Sequence, residues 1–376
     1  MKYTIAFPYF PEEDIRRILS EFRQILSGER MLTKGPQVKE FEREFATYTG
    51  APYAVATNSC TSALEVVLRA FDIGDGDEVI VPVQTFLSTA SSAVIVGARP
   101  VFCDTDENFL LSFEDVKKKI SPYTRAVIIV HFAGLIHPEI FAIRKYLKER
   151  NIRLIEDAAH AAGSEINGVR AGTIGDAGCF SFYSTKVITT GEGGMITTKN
   201  KAIEKLCRSL VHIGIDVDAP QEQYSAIGGN RRMNEFQGIL GRFQLKRLDE
   251  FVAYRNMIAR IYQEELRSLE KEGVIAFQQF PDSMRHSYWK FLVFLRQNID
   301  RDTVRTHLAA RGIAVDWPYQ PLVHFQPVFR QMYATKEGLC PYAEARAEQH
   351  ICLPMHAGIT KDDANYIARE FAHALV

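Results

Sequence analysis

The six cysteines, at 60, 103, 179, 207, 340 and 352, include no CxxC pair, which argues against a zinc site or other metal centre and against a disulfide framework. They are expected to be reduced and mostly buried. Nor is there an excess of either charge. Lys and Arg number 45 against 46 Asp and Glu, a net charge of -1, so nothing electrostatic favours a nucleic acid or an anionic membrane as partner. Long hydrophobic runs are missing too: the longest, AVIIVHFAGLI at 126–136, is too short to span a bilayer. The first residues, MKYTIAFPYFPEEDIRR, hold no continuous apolar stretch of the kind a secretory signal needs. A cytoplasmic protein with no membrane partner is expected. Repeats and low-complexity segments are absent as well.

What the 376 residues do hold is apolar, 46% of them hydrophobic, enough to fill two domains or one large and one small. From about residue 50 to 200, short β-branched runs alternate with helical ones. PYAVAT (52–57), EVIVP (78–82), RPVFCD (99–104), RAVIIVHF (125–132) and RLIEDAA (153–159) are uninterrupted, as strands covered on both faces are. Between them, SALEVVLRAF (62–71) and EIFAIRKYLKER (139–150) repeat their apolar residues every three and four positions, the helical period. This alternation predicts an α/β domain around a mostly parallel sheet, with any ligand at the carboxyl ends of the strands. A long helical pattern follows at 233–269, and the remainder, with strand-like WKFLVFL (289–295), reads as a smaller α+β domain. The expected division is 1–250 for the large domain and 251–376 for the small one.

Three polar features fall at those predicted strand ends. NSCTSALEVV (58–67) joins a strand to a helix, so the N–H groups of Cys60, Thr61 and Ser62 are expected to point out of a helix N-terminus, where anions bind readily. In the plainer reading, Thr61 or Ser62 is simply an N-cap. RLIEDAAH ends in Glu156-Asp157 with His160 beyond, and a carboxylate at the mouth of a buried strand calls for a cation or hydrogen-bond donors. FSFYSTKVITTGEGGM (180–195) sets one lysine, Lys186, between an aromatic run and Gly191, Gly193 and Gly194. Any single lysine is by type a solvated charge, but one short crossover brings Lys186 to the sheet edge that carries Asp157. An anion cradle, a carboxylate and an amine are the parts that hold pyridoxal 5'-phosphate. Its phosphate needs the helix N-terminus, its aldehyde an amine for a Schiff base, and its ring nitrogen a carboxylate. GEGG departs from G-x-G-x-x-G and leads into a strand-like run, which disfavours a dinucleotide.

The sequence resembles the DegT/DnrJ/EryC1/StrS family of sugar aminotransferases, and in the same order along nearly the whole chain. The matching stretches begin with ERMLTKGPQVKEFEREFATYTG (29–50), NSCTSAL (58–64), GDEVIVPVQTF (76–86) and VHFAG (130–134). They continue with EDAAHAAGS (156–164), GDAGCFSFYSTKVITTGEGG (175–194), GGNRRMNEFQGILGRFQL (228–245) and YQPLVHFQP (319–327). Lys186 in FSFxxxK together with Asp157 in EDAAH is the most specific part. The resemblance implies a type I pyridoxal-phosphate-dependent transferase fold, a large α/β domain with a smaller C-terminal α+β domain.

Position by position, the resemblance implies that Lys186 is the Schiff-base lysine and proton shuttle, that Asp157 pairs with the ring nitrogen, and that His160 sits beside the ring hydroxyl. Phe86 matches the aromatic that stacks on the ring. Thr61, Ser62 and Ser181 match phosphate contacts, with Cys60 in the same turn. Asn230 matches an asparagine that reaches the phosphate of the neighbouring subunit, which implies a homodimer with shared sites. Tyr183, Arg231, Tyr319 and His324 are expected to face the substrate. Two positions depart from the family pattern: Cys60 stands where glycine is usual and Arg231 where an aromatic is usual. No arginine clamp for a donor α-carboxylate is assigned; Arg231 and Arg232 are no more than candidates. The implied reaction is a ping-pong transfer through pyridoxamine phosphate, from L-glutamate to a nucleotide-linked keto-deoxysugar. The leading acceptors are dTDP-linked 3-keto- or 4-keto-6-deoxyhexoses. A ketone without a nucleotide, of aminocyclitol type, would use the same cofactor residues. A sugar dehydratase of this fold would carry histidine in place of Lys186, and a non-enzymatic regulator would not need the intact set.

Overall fold

The computed structural model of the chain describes residues 1–375. Helices α1 (Glu12–Leu26) and α2 (Pro36–Thr49) lead into alternating strands and helices: β1 (Tyr53–Thr57), α3 (Cys60–Ala70), β2 (Glu78–Pro82), α4 (Leu87–Ile95), β3 (Arg99–Cys103), α5 (Phe113–Lys119), β4 (Thr124–Val130), α6 (Ile140–Lys148) and β5 (Arg153–Asp157). The short pair β6 (Glu165–Ile166) and β7 (Val169–Arg170) precedes β8 (Ala177–Ser181), β9 (Gly194–Thr198), α7 (Lys201–Val211) and the long α8 (Glu235–Glu265). The C-terminal part contains α9 (Arg267–Lys271), β10 (Ile275–Phe277), β11 (Met284–Arg285), β12 (Phe291–Leu295), α10 (Arg301–Ala309), α11 (Pro327–Tyr333), α12 (Pro341–Arg346), β13 (His350–Leu353) and α13 (Lys361–His373).

The seven-stranded sheet runs β1-β9-β8-β5-β4-β2-β3. It is parallel except for β9, which is antiparallel to both β1 and β8. Strand side chains alternate between two cores, and this is why the sequence shows unbroken apolar runs. Ile80, Val127, Ile129 and Leu154 face one core, with Phe41, Phe45 and Leu248. Val79, Val81, Ala126, Ile128 and Ile155 face the other, with α3. The same alternation sends Glu156 and Asp157 to opposite faces of β5.

The expected division after residue 250 falls inside α8, which is unbroken from Glu235 to Glu265. Its Leu245, Leu248, Phe251 and Val252 belong to the first core, whereas Ile258, Ala259 and Tyr262 join a third core with β10, β12, β13 and α13. A capping box starts the helix, Asn234 and Gln237 each bonding the other's backbone. The change of core occurs within one rigid rod, so no linker signal marks it. Arg255, on the same helix and buried, donates through Nη1 to the carbonyls of Tyr288 at 2.9 Å and Met355 at 2.7 Å. The strand-like run expected at 289–295 begins at Phe291, which leaves Trp289 and Lys290 in the preceding loop.

Candidate active site

A cavity of about 550 Å³ opens at the carboxyl ends of β1, β2, β5 and β8, within the range that holds small ligands and cofactors. Ser59, Cys60 and Thr61 line it from the start of α3, Thr85 and Phe86 from beyond β2, Asp157 and His160 from beyond β5, and Ser181, Tyr183 and Lys186 from beyond β8. The opposite wall is made by Trp289, Lys290, Asp316 and Tyr319.

Lys186 is held in a turn by its N–H, which donates to the Tyr183 carbonyl at 2.9 Å. Its Nζ lies 4.1 Å from the centroid of the Trp289 ring. Burial lowers its pKa from the ordinary 10.5 to about 8; Asp157 and Cys60 oppose the change and Lys290 adds to it. Such an amine is partly unprotonated near neutral pH.

Asp157 is 5% exposed. Its Oδ2 accepts from Thr89 Oγ1 at 2.7 Å, and its Oδ1 accepts from the Ala159 N–H at 3.2 Å. Burial pushes the carboxyl above its usual range, against the Thr89 hydroxyl and the Lys186 charge. Cys60, the departure from the family pattern, is accommodated with its Sγ 3.9 Å from Asp157 Oδ1, and burial keeps it a neutral thiol.

His160 stacks on one side only. Its ring lies on Trp289 at 3.7 Å and 14°, and Tyr319 lies beside it, nearly parallel, with its hydroxyl 2.7 Å from Nε2. Burial, then the positive charges of Lys186 and Lys290, hold its pKa well below the ordinary value, so the imidazole is neutral. Its Nδ1 is buried without a protein partner.

The cap of α3 is Ser59, not Thr61 or Ser62: its Oγ accepts from the Ser62 N–H at 3.1 Å. That bond uses the Ser62 N–H and leaves those of Cys60 and Thr61 directed out of the helix start. Ser62 does not line the cavity, whereas Ser59 and Ser88 do, and Thr61 Oγ1 bonds Ser88 Oγ at 2.7 Å. The β9 backbone lies directly behind this turn, since a Cβ on Gly194 would fall 2.5 Å from the Ser59 carbonyl carbon.

Three of the expected residues lie elsewhere in the chain. His324 is fully buried, with Nε2 3.0 Å from Glu344 Oε1, and does not line the cavity. Arg231 is drawn to Glu65, Nη2 to Oε2 at 2.8 Å. Asn230 is exposed at the surface. Arg232 bonds His212 Nδ1 at 2.6 Å, so neither candidate arginine reaches the cavity of its own chain. Glu156, beside Asp157 in sequence, accepts instead from the N–H groups of Gly172, Ile174 and Gly175 at 2.6–2.7 Å and from His131 Nε2 at 2.8 Å. Sequence reasoning missed Trp289, Lys290, Asp316, Ser59 and Thr89. For Trp289 and Lys290 the only signal was a polar residue at the head of an otherwise apolar run.

A family model described as the DegT/DnrJ/EryC1/StrS aminotransferase family matches residues 12–372. The chain is 34% identical to GDP-perosamine synthase of Escherichia coli O157:H7, covering 89% of each chain. It is also 34% identical to a UDP-N-acetyl-3-dehydro-α-D-glucosamine 3-aminotransferase of Acidithiobacillus ferrooxidans, covering 95% of this chain and 96% of the relative. Spr1654 of Streptococcus pneumoniae in its PLP-form superposes with a TM-score of 0.90 at 26% identity, covering 100% of this chain and 99% of that one.

The residues present suit pyridoxal phosphate. The N–H groups of Cys60 and Thr61 and several hydroxyls at the start of α3 suit an anion, a buried carboxyl stands at the end of β5, and His160 Nδ1 is buried without a partner, which a ring hydroxyl would supply. No helix among the described residues is long and apolar enough to cross a membrane. The chain belongs to the DegT/DnrJ/EryC1/StrS aminotransferase family and is a pyridoxal-phosphate-dependent sugar aminotransferase.

Proposed function

We propose that the protein transfers an amino group from L-glutamate to the keto carbon of a nucleotide-linked keto-deoxysugar. The observation that carries this reading is the convergence of Lys186, Asp157 and the N-terminus of α3 on one cavity. Bound pyridoxal phosphate supplies a carbonyl that receives the amino group and a ring that withdraws electrons. The N–H groups of Cys60 and Thr61, with the hydroxyls of Ser59, Thr61 and Ser181, hold the phosphate. Asp157 keeps the proton on the ring nitrogen, an ion pair that also relieves the cost of its own burial. His160 Nδ1, buried without a protein partner, would bond the ring hydroxyl, and Phe86, which lines the cavity, would pack on the ring. Lys186 Nζ would take the proton from the donor's α-carbon and later return one to the acceptor's keto carbon. An amine titrating at about 8 suits both directions. The Trp289 ring, 4.1 Å from Nζ, covers that amine on one side.

The names of the relatives support a nucleotide-linked acceptor, and because they differ in nucleotide, the first panel pairs dTDP, UDP and GDP with 3-keto and 4-keto sugars. A homodimer with shared sites is supported by the exposure of Asn230 outside its own cavity. Exposed apolar Met31, Leu32, Phe86 and Ile227 support it as well. Sedimentation of the active protein as a stable monomer would contradict that assembly.

The reaction is tested by the visible spectrum of the cofactor-loaded protein before and after L-glutamate, then with each keto-sugar. Loss of the yellow absorbance with glutamate and its return with one sugar are expected. Lys186→Ala should fold normally and lose turnover, and wild-type rates in that variant would overturn the mechanism.

A further inference from the structure

We propose that Lys290, steadied by Asp316, is the cation that receives the α-carboxylate of the amino donor; this rests on the transamination read above. A carboxylate entering a cavity largely walled by apolar side chains needs a positive partner. Among the described residues lining the cavity, the only lysines or arginines are Lys186 and Lys290. Lys186 has to give up its charge to accept a proton from carbon, so it cannot also serve as a fixed counter-ion. Arg231 and Arg232 are engaged by Glu65 and His212.

Lys290 has the capacity. Its side chain is 4% exposed, and its Nζ donates to Asp316 Oδ2 at 2.6 Å. That is one protein acceptor for a group with three N–H donors. It also has the position. Both ammonium groups lie over the same indole, Lys186 at 4.1 Å and Lys290 at 5.2 Å from the Trp289 centroid. A donor whose α-carbon faces Lys186 carries its carboxylate one bond from that carbon, inside the cavity that Lys290 also lines. The diphosphate of a sugar nucleotide is several bonds from the carbon that is aminated and is displaced towards the mouth. Asp316 already balances one positive charge, which suits Lys290 to a single carboxylate rather than to a doubly charged diphosphate.

The test is calorimetric titration of 2-oxoglutarate, the keto acid of the donor, into the cofactor-loaded protein, where no amino group is present to react. Lys290→Met should weaken binding on the order of tenfold to a hundredfold, the loss of a charge-assisted hydrogen bond. Lys290→Arg should retain most of the affinity, and Asp316→Asn, which frees the lysine's charge, should tighten it. Affinities for GDP and UDP should stay within about twofold in all three variants, as rim electrostatics alone would predict. Unchanged 2-oxoglutarate affinity in Lys290→Met, or no binding by the wild type, overturns the assignment. So does a loss confined to the nucleotides. If Lys290→Met fails to fold, unchanged affinity in Asp316→Asn is the overturning result. The two readings fail separately: a wild-type spectrum that glutamate cannot alter defeats the transamination, whereas a normal spectral response with Lys290-independent 2-oxoglutarate binding defeats only the role of Lys290.

Discussion

Replacing Glu156 with alanine should be among the most destabilising single changes in the large sheet, although Glu156 does not line the cavity. The carboxylate is fully buried and accepts four hydrogen bonds: Oε1 from the N–H groups of Ile174 and Gly175, and Oε2 from the Gly172 N–H and His131 Nε2. Alanine leaves three buried backbone donors without partners, each worth about 1–3 kcal/mol. Part of that is offset because a buried carboxylate no longer has to be desolvated. A net loss of about 3–5 kcal/mol remains. Glutamine keeps one acceptor oxygen for Ile174 and Gly175 but turns an amide towards Gly172. Fewer backbone donors lose their acceptor than with alanine, so Glu156→Gln should cost roughly half as much, about 1–3 kcal/mol. The assay is urea unfolding of the cofactor-free protein, so that ligand linkage does not mask the difference. An alanine variant within about 1 kcal/mol of wild type would refute the idea that this carboxylate organises the 172–175 turn.

Reconstitution of the cofactor-free protein with pyridoxal phosphate should accelerate as pH rises through about 8 and then level off, because only the neutral Lys186 amine attacks an aldehyde. Continued acceleration towards pH 10.5, the ordinary lysine value, would show that burial does not act on it. Removing a like charge with Lys290→Met should move that midpoint upwards. Gly194→Ala puts a methyl group 2.5 Å from the Ser59 backbone, so it should cost about 1–3 kcal/mol in unfolding and weaken retention of pyridoxal phosphate. Unchanged retention would mean that the α3 turn does not hold the phosphate.

The strands β1 to β5 were legible because each is short, β-branched and buried on both faces. The antiparallel setting of β9 was not, since its residues GMITT look the same in either direction. Lys186 and Asp157 were legible because each is a charged residue at or just past the end of a predicted buried strand, in FSFYSTK and RLIED, and the structure brings them to one cavity. His324 sits in a stretch that matches the family, yet Glu344, from a helix 20 residues on, draws it into the interior. Trp289 and Lys290 were absorbed into a strand pattern that begins two residues too early, and their partner Asp316 has no local motif at all. The division at 250 has no local signal for a related reason: α8 keeps one helical period while the core behind it changes between Val252 and Ile258.

The cavity is bounded on one side by strand ends of the seven-stranded sheet and on the other by loops at 289–290 and 316–319. These two sides are held in place in different ways. A substitution at the end of β5 or β8 is transmitted through the hydrogen-bonded neighbours of each strand, so a shift there disturbs the whole sheet edge. The loops answer chiefly to their anchors, and Arg255 fixes one of these by gripping the Tyr288 carbonyl just before Trp289. Between such anchors the loop side chains can be exchanged without moving Lys186, so a lineage of these proteins can acquire new substrates while its amine and carboxylate stay where the sheet put them.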